Sequence, residues 1–74
     1  MMTEQQVKEA ILAAGINVDV DSLKPSDNLS DAGIDSLDFF NLFLELETIG
    51  GKKIPDDQLD KMTTIDSIIK FYAE

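Results

Sequence analysis

Residues 35–51 read DSLDFFNLFLELETIGG in a chain of 74 residues. The helical spacing of the apolar residues predicts an α-helix from about Ser36 to Ile49 that ends at Gly50 and Gly51, with Asp35 or Ser36 as its cap. Two apolar lines are expected on it: a core face of Leu42, Phe43, Leu46 and Ile49, and a second line of Leu37, Phe40 and Leu44. A helix that is apolar on two sides contacts something besides its own core, so the second line indicates a partner-binding surface.

The residues before this helix predict a shorter helix and a long loop. Thr3 has capping-box spacing to Gln6, and Gly15 stands where the first helix would end. The buried stripe expected between them is Val7, Ala10, Ile11 and Ala14. Residues 16–35 are interrupted at Pro25 and have no second strand to pair with, so an ordered loop is expected there. Its apolar anchors are Ile16, Val18, Val20, Leu23 and Leu29.

The residues after the central helix predict two more helices. Pro55 suits the start of a short helix over residues 56–62. Thr63 or Thr64 would cap the last helix. The apolar stripe expected on that helix is Ile65, Ile68, Ile69 and Tyr72. The predicted fold is therefore an all-α four-helix bundle with a short third helix and a long first connection, as a single domain over residues 1–74.

The composition restricts the classes of function. The chain has no histidine and no cysteine, which removes the usual nucleophile–base pairs and the commonest metal ligands. Asp56, Asp57 and Asp60 lack the alternating ligands and glycine of a calcium loop. Neither an enzyme nor a metal site is expected. The start of the chain lacks a signal-peptide pattern, and no apolar run approaches the ~20 residues that span a bilayer, so a cytoplasmic protein without membrane insertion is expected.

The charge of the chain is strongly and unevenly acidic. Fifteen acidic residues and six lysines give a net charge of −9. No basic residue lies between Pro25 and Gly51, where the acids are Asp27, Asp31, Asp35, Asp38, Glu45 and Glu47. Such a field repels nucleic acid and attracts proteins with basic surfaces. A solubilising surface is the simpler explanation of the charge alone, and its uneven distribution favours a docking face.

Ser36 is the residue that could carry chemistry. Serine is a favoured helix cap, and no base in this chain is available to activate its hydroxyl. Modification of Ser36 would therefore need another enzyme. The start of a helix suits a phosphodiester, because free amide groups and the helix dipole favour an anion there.

A family resemblance is visible around this serine. Gly33, Asp35, Ser36 and Leu37, between a long loop and an acidic helix, resemble the attachment motif of acyl carrier proteins. The likeness covers nearly the whole chain, including residues 54–56 before the short helix and 62–65 before the last. It implies a 4'-phosphopantetheine arm, transferred from coenzyme A to Ser36 by a separate phosphopantetheinyl transferase with magnesium. The thiol of the arm would carry acyl groups as thioesters to fatty-acid, polyketide or related biosynthetic enzymes.

The resemblance also implies roles for the neighbours of Ser36. Asp35 would help to engage the transferase, and Leu37 would pack against partners near the arm. The positions that match the partner-docking surface are Asp38, Phe40, Leu44, Glu47 and Asp56. Those that match the bundle interior, where family members shelter an acyl chain, are Leu42, Leu46, Leu59 and Ile68. The implied partners are acyl-transferring and acyl-modifying enzymes with basic docking surfaces, and a monomer is expected.

Departures from the family pattern favour a specialised carrier over a housekeeping one. Asn41 and Thr48 replace common carboxylates, and two lysines follow at residues 52–53. Gly50 stands where an aromatic core residue is common, and neighbouring Ile49 is a candidate to fill that space. Two alternatives stay open. One is a peptidyl or D-alanyl carrier, which shares the serine and the bundle; the other is an unmodified helical adaptor in which Ser36 is only a cap.

Overall fold

The computed structural model describes residues 1–74 and is all-helical, which confirms the predicted fold. The helices are α1 (Glu4–Ala13), α2 (Ser36–Gly50), α3 (Asp56–Leu59) and α4 (Ile65–Ala73), with a short 3-10 helix at Val20–Ser22 in the first connection. α1 packs against both α2 and α4. None of these helices combines the length and the apolar character needed to cross a membrane.

Side-chain caps begin α1 and α4 at the predicted threonines. The hydroxyl of Thr3 accepts a hydrogen bond from Gln6 N at 3.1 Å, and Gln6 Oε1 accepts one from Thr3 N at 2.9 Å. Of the two threonines before α4, Thr64 is the cap, and it exchanges the same pair of bonds with Ser67 at 3.0 Å each. Because capping boxes satisfy amide groups that have no partner inside the helix, they define where α1 and α4 begin.

The core consists of fifteen buried residues, all apolar, and no polar residue is buried. The largest side chains that are fully buried are Val7, Ile11, Leu29, Leu42, Leu46, Ile65 and Ile68. Three of the four residues expected around the bundle interior belong to this set, and the fourth, Leu59, is half-buried. The bundle is therefore held by side chains from α1, the long loop, α2 and α4 together.

The core predictions for two helices need correction. On α2, Phe43 is half-buried and Ile49 is 39% exposed, so only two of its four predicted core residues are fully covered. On α4, the prediction missed Phe71, which is buried, whereas Ile69 and Tyr72 are half-buried. The predicted stripes followed helical spacing alone, and spacing does not show how far around each helix its neighbours reach.

The long loop is ordered by contacts with the start of α4. Its residues Ile16, Leu23 and Leu29 are buried, and Val18 and Val20 are half-buried. Leu29 N donates to Thr63 O at 2.9 Å, and Asp66 N donates to Pro25 O at 3.0 Å. These two bonds fix the loop against the start of α4, seven and eleven residues before α2 begins.

The far end of α2 is tied to α4. The helix continues through Gly50, one residue beyond the prediction, and ends at Gly51, which has a φ of +67° and donates to Glu47 O at 2.9 Å. A Cβ on Gly50 would lie 2.7 Å from Tyr72 Cδ1. The space beside Gly50 is therefore filled by Tyr72 from α4, and the suggestion that Ile49 fills it is wrong.

The loop after α2 is held by the end of α4. Lys52 Nζ donates to the carbonyl oxygens of Phe71 and Glu74, each at 3.2 Å, and lies 4.3 Å from the centre of the Phe71 ring. The Tyr72 hydroxyl donates to Lys52 O at 3.0 Å. α3 is one turn long, ending at Leu59 where a helix over 56–62 was predicted, because residues 60–61 form a turn.

Candidate functional site

Ser36 is exposed and is the first residue of α2. The cap of α2 is Asp35, whose Oδ1 accepts a hydrogen bond from Asp38 N at 2.9 Å, while Asp38 Oδ2 accepts one from Asp35 N at 3.4 Å. The Ser36 hydroxyl takes no part in this capping box. The structure therefore gives the capping role to Asp35 and leaves the Ser36 hydroxyl facing solvent without a structural task.

The backbone before Ser36 is fixed by a glycine turn and a buried anchor. Gly33 has a φ of +103°, which a residue with a side chain rarely adopts, and its amide donates to Ser30 O at 3.1 Å. Ile34 is 2% exposed, and its amide donates to Leu29 O at 3.2 Å. Because the chain is anchored two residues before Ser36, the serine is presented at a defined position.

The electrostatics at the start of α2 suit a covalently attached anion. The first amides of a helix have no partner within it, and the capping box uses that of Asp38 but not those of Ser36 and Leu37. The dipole of this 15-residue helix adds partial positive charge at the same end. The carboxylates of Asp35 and Asp38 are held in the capping box, where they keep their negative charge and oppose part of this field. Because a covalent bond to Ser36 Oγ would hold the group in place, a phosphodiester still fits beside the two free amides.

Two open clefts flank Ser36. One, of about 400 Å³, is lined by Ser30, Gly33, Ile34, Asp35, Ser36 and Phe39. The other, of about 330 Å³, is lined by Ser30, Ser36, Phe39, Phe43, Leu59, Asp60, Met62 and Thr63. The rings of Phe39 and Phe43 lie 5.7 Å apart between centres and contribute to the apolar wall of the second cleft. An arm on Ser36 thus starts between a cleft of mixed polar and apolar lining and a more apolar one.

Three neighbours of the site were not predicted from the sequence: Ser30, Phe39 and Phe43. A signal for the phenylalanines was available, since residues four apart lie on the same side of a helix. No comparable signal pointed to Ser30, because its place beside Ser36 depends on the folding of the loop.

The second apolar line predicted on α2 is exposed. The exposed fractions are 68% for Leu37, 61% for Phe40 and 49% for Leu44. Leu42 and Leu46, on the opposite side, have no exposed surface. α2 therefore has an apolar face toward solvent in addition to its core face, and that outer face starts beside Ser36.

The predicted acidic docking residues lie in different surroundings. Asp38 belongs to the capping box beside Ser36, with Asp35 and Leu37 as its neighbours. Glu47 lies nine residues beyond Asp38, about 13.5 Å further along the helix axis, and its Oε2 accepts a hydrogen bond from Ile54 N at 3.0 Å. Asp56 is exposed in the first turn of α3. The structure thus brings the residues at 35–38 together and separates the other two acids from them.

Comparison with known proteins finds a family model that matches residues 6–72, described as a phosphopantetheine attachment site. The chain is 38% identical to an acyl carrier protein of Chlorobium phaeobacteroides, with 99% of each chain covered. It is 35% identical to an acyl carrier protein of Chlorobium phaeovibrioides, again with 99% of each covered. It is 34% identical to one from Helicobacter pylori strain G27, covering 89% of this chain and 86% of the relative. These similarities extend over the first helix, the long loop, α2 and α4 alike.

Proposed function

The chain belongs to the acyl carrier protein family, and we propose that it carries acyl groups as thioesters on a 4'-phosphopantetheine arm attached to Ser36. The observation that carries the assignment to Ser36 is its hydroxyl, which is exposed at the first position of α2 while Asp35 performs the capping. A serine needed as the cap would have a structural reason to be there. This one is free for modification.

The residues around Ser36 have distinct tasks in this proposal. Ser36 Oγ would form the bond to phosphorus as the pyrophosphate bond of coenzyme A breaks and adenosine 3',5'-bisphosphate leaves. The first amides of α2 would then hold the phosphodiester. Asp35 and Asp38 are engaged with each other's amides, so the base that removes the hydroxyl proton comes from the transferase. When attached, the arm supplies a terminal thiol that forms the thioester with the acyl group. The tether keeps that group at an effective concentration of roughly millimolar for a docked enzyme.

The partners in this proposal are a phosphopantetheinyl transferase and enzymes that transfer or modify acyl groups. They would dock on Asp38, Phe40, Leu44, Glu47 and Asp56. The net charge of −9 steers proteins with basic surfaces toward the carrier. All catalysis belongs to those enzymes, and the carrier acts as a monomer in the cytoplasm.

A dedicated pathway is part of the proposal. Asn41 and Thr48 make α2 less acidic than the family pattern, which supports a carrier adapted to particular enzymes. Among the alternatives, the unmodified adaptor loses its main support, because its explanation of Ser36 as a cap does not hold. A peptidyl or D-alanyl carrier would share the arm and differ in the enzyme that loads it.

Intact-mass measurement tests the proposal. The chain, first shown by mass to be unmodified, is incubated with coenzyme A, magnesium and a broad-specificity phosphopantetheinyl transferase, beside a Ser36→Ala control. We expect the parent to gain one phosphopantetheinyl group and the control to gain none. No gain in a parent that is folded by circular dichroism would overturn the proposal. Loading the modified chain with acyl- or aminoacyl-activating enzymes then separates the two kinds of carrier.

A further inference from the structure

A second serine stands beside Ser36 at the start of α2. Of the residues that line the two clefts flanking the attachment site, only Ser30, Ser36 and Phe39 line both. These three residues therefore form what we call the ridge between the clefts. Ser30 and Ser36 are its polar members, and both are exposed. A group attached to Ser36 Oγ consequently has Ser30 beside it whichever cleft it enters.

The backbone of Ser30 is held in place without the help of its side chain. Ser30 N donates to Asn28 Oδ1 at 2.9 Å, and Ser30 O accepts a hydrogen bond from Gly33 N at 3.1 Å. The preceding amide, that of Leu29, donates to Thr63 O at 2.9 Å. Ser30 Oγ, in contrast, takes part in no hydrogen bond within the chain. The fold thus fixes the residue and leaves its hydroxyl free to donate to a bound group.

The charge of the two clefts makes a neutral donor valuable to a phosphodiester. The charged residues that line them are Asp35 in one and Asp60 in the other, and no lysine lines either. An anion on Ser36 therefore meets negative charge in each cleft, and its favourable contacts have to come from neutral donors. Hydrogen bonds to an anion are stronger than those between neutral groups. Apart from the free amides of α2, the hydroxyl donors are Ser30, on the ridge, and Thr63, which lines the second cleft alone.

We propose that Ser30 Oγ donates a hydrogen bond to an unesterified oxygen of the phosphodiester on Ser36. This inference rests on the proposed attachment at Ser36 and adds a residue of the long loop that binds the arm. The bond joins the loop to the first turn of α2 through the phosphate. It also offsets part of the repulsion from the neighbouring carboxylates, which the amides of α2 oppose from the other element.

Phosphorus NMR of the full chain carrying the arm tests this bond. The parent, Ser30→Ala and Ser30→Thr are each modified with coenzyme A and a broad-specificity transferase, and the modification is verified by intact mass. With glycerophosphocholine as internal reference, the parent resonance should be displaced from its position in concentrated urea. In Ser30→Ala it should move back by about half of that displacement or more, because a charge-assisted bond is lost. Ser30→Thr keeps a hydroxyl and should retain the parental position.

Two further variants serve as controls. Ser26→Ala is the matched one, because Ser26 is an exposed serine of the same loop that lines neither cleft. Its phosphorus resonance should coincide with that of the parent. Thr63→Ala tests the other hydroxyl and should also leave the resonance in place. An unmoved resonance in Ser30→Ala, or a larger movement in Thr63→Ala than in Ser30→Ala, would overturn the inference.

Amide hydrogen exchange gives a second measurement. Attachment of the arm should slow exchange at Ser30 and Gly33 about threefold or more in the parent, and less than about twofold in Ser30→Ala, because only the parent gains a bond between loop and helix. Before modification, Ser30→Ala should unfold at the same urea concentration as the parent, and a clear loss of stability there would count against the inference. A modified parent with unchanged exchange would overturn the bond to Ser30. A parent that gains no phosphopantetheinyl group would instead overturn the proposed function.

Discussion

Gly50 in α2 and the ring of Tyr72 in α4 approach so closely that no side chain fits between them. A Cβ on Gly50 would lie 2.7 Å from Tyr72 Cδ1, and the Tyr72 hydroxyl is held by its bond to Lys52 O at 3.0 Å. That bond opposes displacement of the ring. The space beside Gly50 is thus occupied from α4, by the ring of a residue 22 positions further along the chain.

Gly50→Ala should therefore destabilise the protein. Alanine gains about 0.5–1 kcal/mol in helix propensity over glycine, but forcing extra volume into a packed site costs about 1–3 kcal/mol. We expect the free energy of unfolding in urea to fall by about 1 kcal/mol. In a Tyr72→Ala background the same change should raise the free energy of unfolding, because the new Cβ then meets only the flexible end of Met2, whose Cε lies 3.1 Å away. If Gly50→Ala also raised the free energy of unfolding in the parent, the packing between Gly50 and the Tyr72 ring would be loose enough to admit a methyl group.

Tyr72 should titrate at unusually high pH. Burial, and after it the negative charge of Glu47, raises the pKa of Tyr72 from 10.0 to about 12. Because the folded protein keeps this proton longer than the unfolded chain, the stability from Tyr72 is complete below about pH 10 and is lost as pH rises through about 12.

Absorbance of the tyrosinate, followed as pH is raised, measures the pKa of Tyr72 directly, since Tyr72 is the one tyrosine in the chain. The midpoint should lie near 12 in the folded protein and near 10 in concentrated urea. Tyr72→Phe should abolish the signal and reduce the loss of stability over that interval. Glu47→Gln should lower the folded midpoint slightly. Equal midpoints in the folded and unfolded states would contradict the prediction.

Glu47 should contribute to stability, whereas Glu45 should not. Glu47→Ala leaves the amide of Ile54, a residue that is 2% exposed, without its acceptor, so we expect a loss of about 1–2 kcal/mol in the free energy of unfolding. Glu47→Gln keeps an acceptor oxygen and should cost less than half as much. Glu45→Ala, on the same helix, should stay within about 0.5 kcal/mol. Similar losses for both alanine variants would mean that charge, and not the bond to Ile54, is responsible.

Substitutions at Ser36 and Asp35 should show that attachment of the arm and stability of the fold depend on different residues. Ser36→Ala should abolish attachment of the arm and change the free energy of unfolding by less than about 0.5 kcal/mol, because its hydroxyl takes no part in the cap. Asp35→Ala removes the capping box and should cost about 1 kcal/mol. Thermal and urea unfolding of both variants, with intact mass after transferase treatment, check the pair. A larger loss of stability in Ser36→Ala than in Asp35→Ala would reverse this assignment.

The features predicted correctly from the sequence are local ones. The spacing from Thr3 to Gln6 predicted the capping box that begins α1, and the start of α4 was predicted to within one residue, at Thr63 or Thr64. The two faces of α2 follow from helical spacing, and Ser36 follows from its position at the start of that helix. The charge, the absence of histidine and cysteine and the motif around Ser36 also pointed to a carrier before any contact was known.

Contacts between residues that are far apart in the sequence could be identified only in the folded structure. Tyr72 fills the space beside Gly50, and Lys52 bonds to the carbonyl oxygens of Phe71 and Glu74, across separations of about twenty residues. Helical spacing shows which side of a helix is apolar, but it contains no information on how α2 and α4 cross or how far each covers the other. For that reason the sequence alone determined that four helices form, that α2 has an outer apolar line and that Ser36 lies at the start of α2. The tertiary packing determined that Ile49 is exposed, that Phe71 is buried and that Glu47 is bound to Ile54.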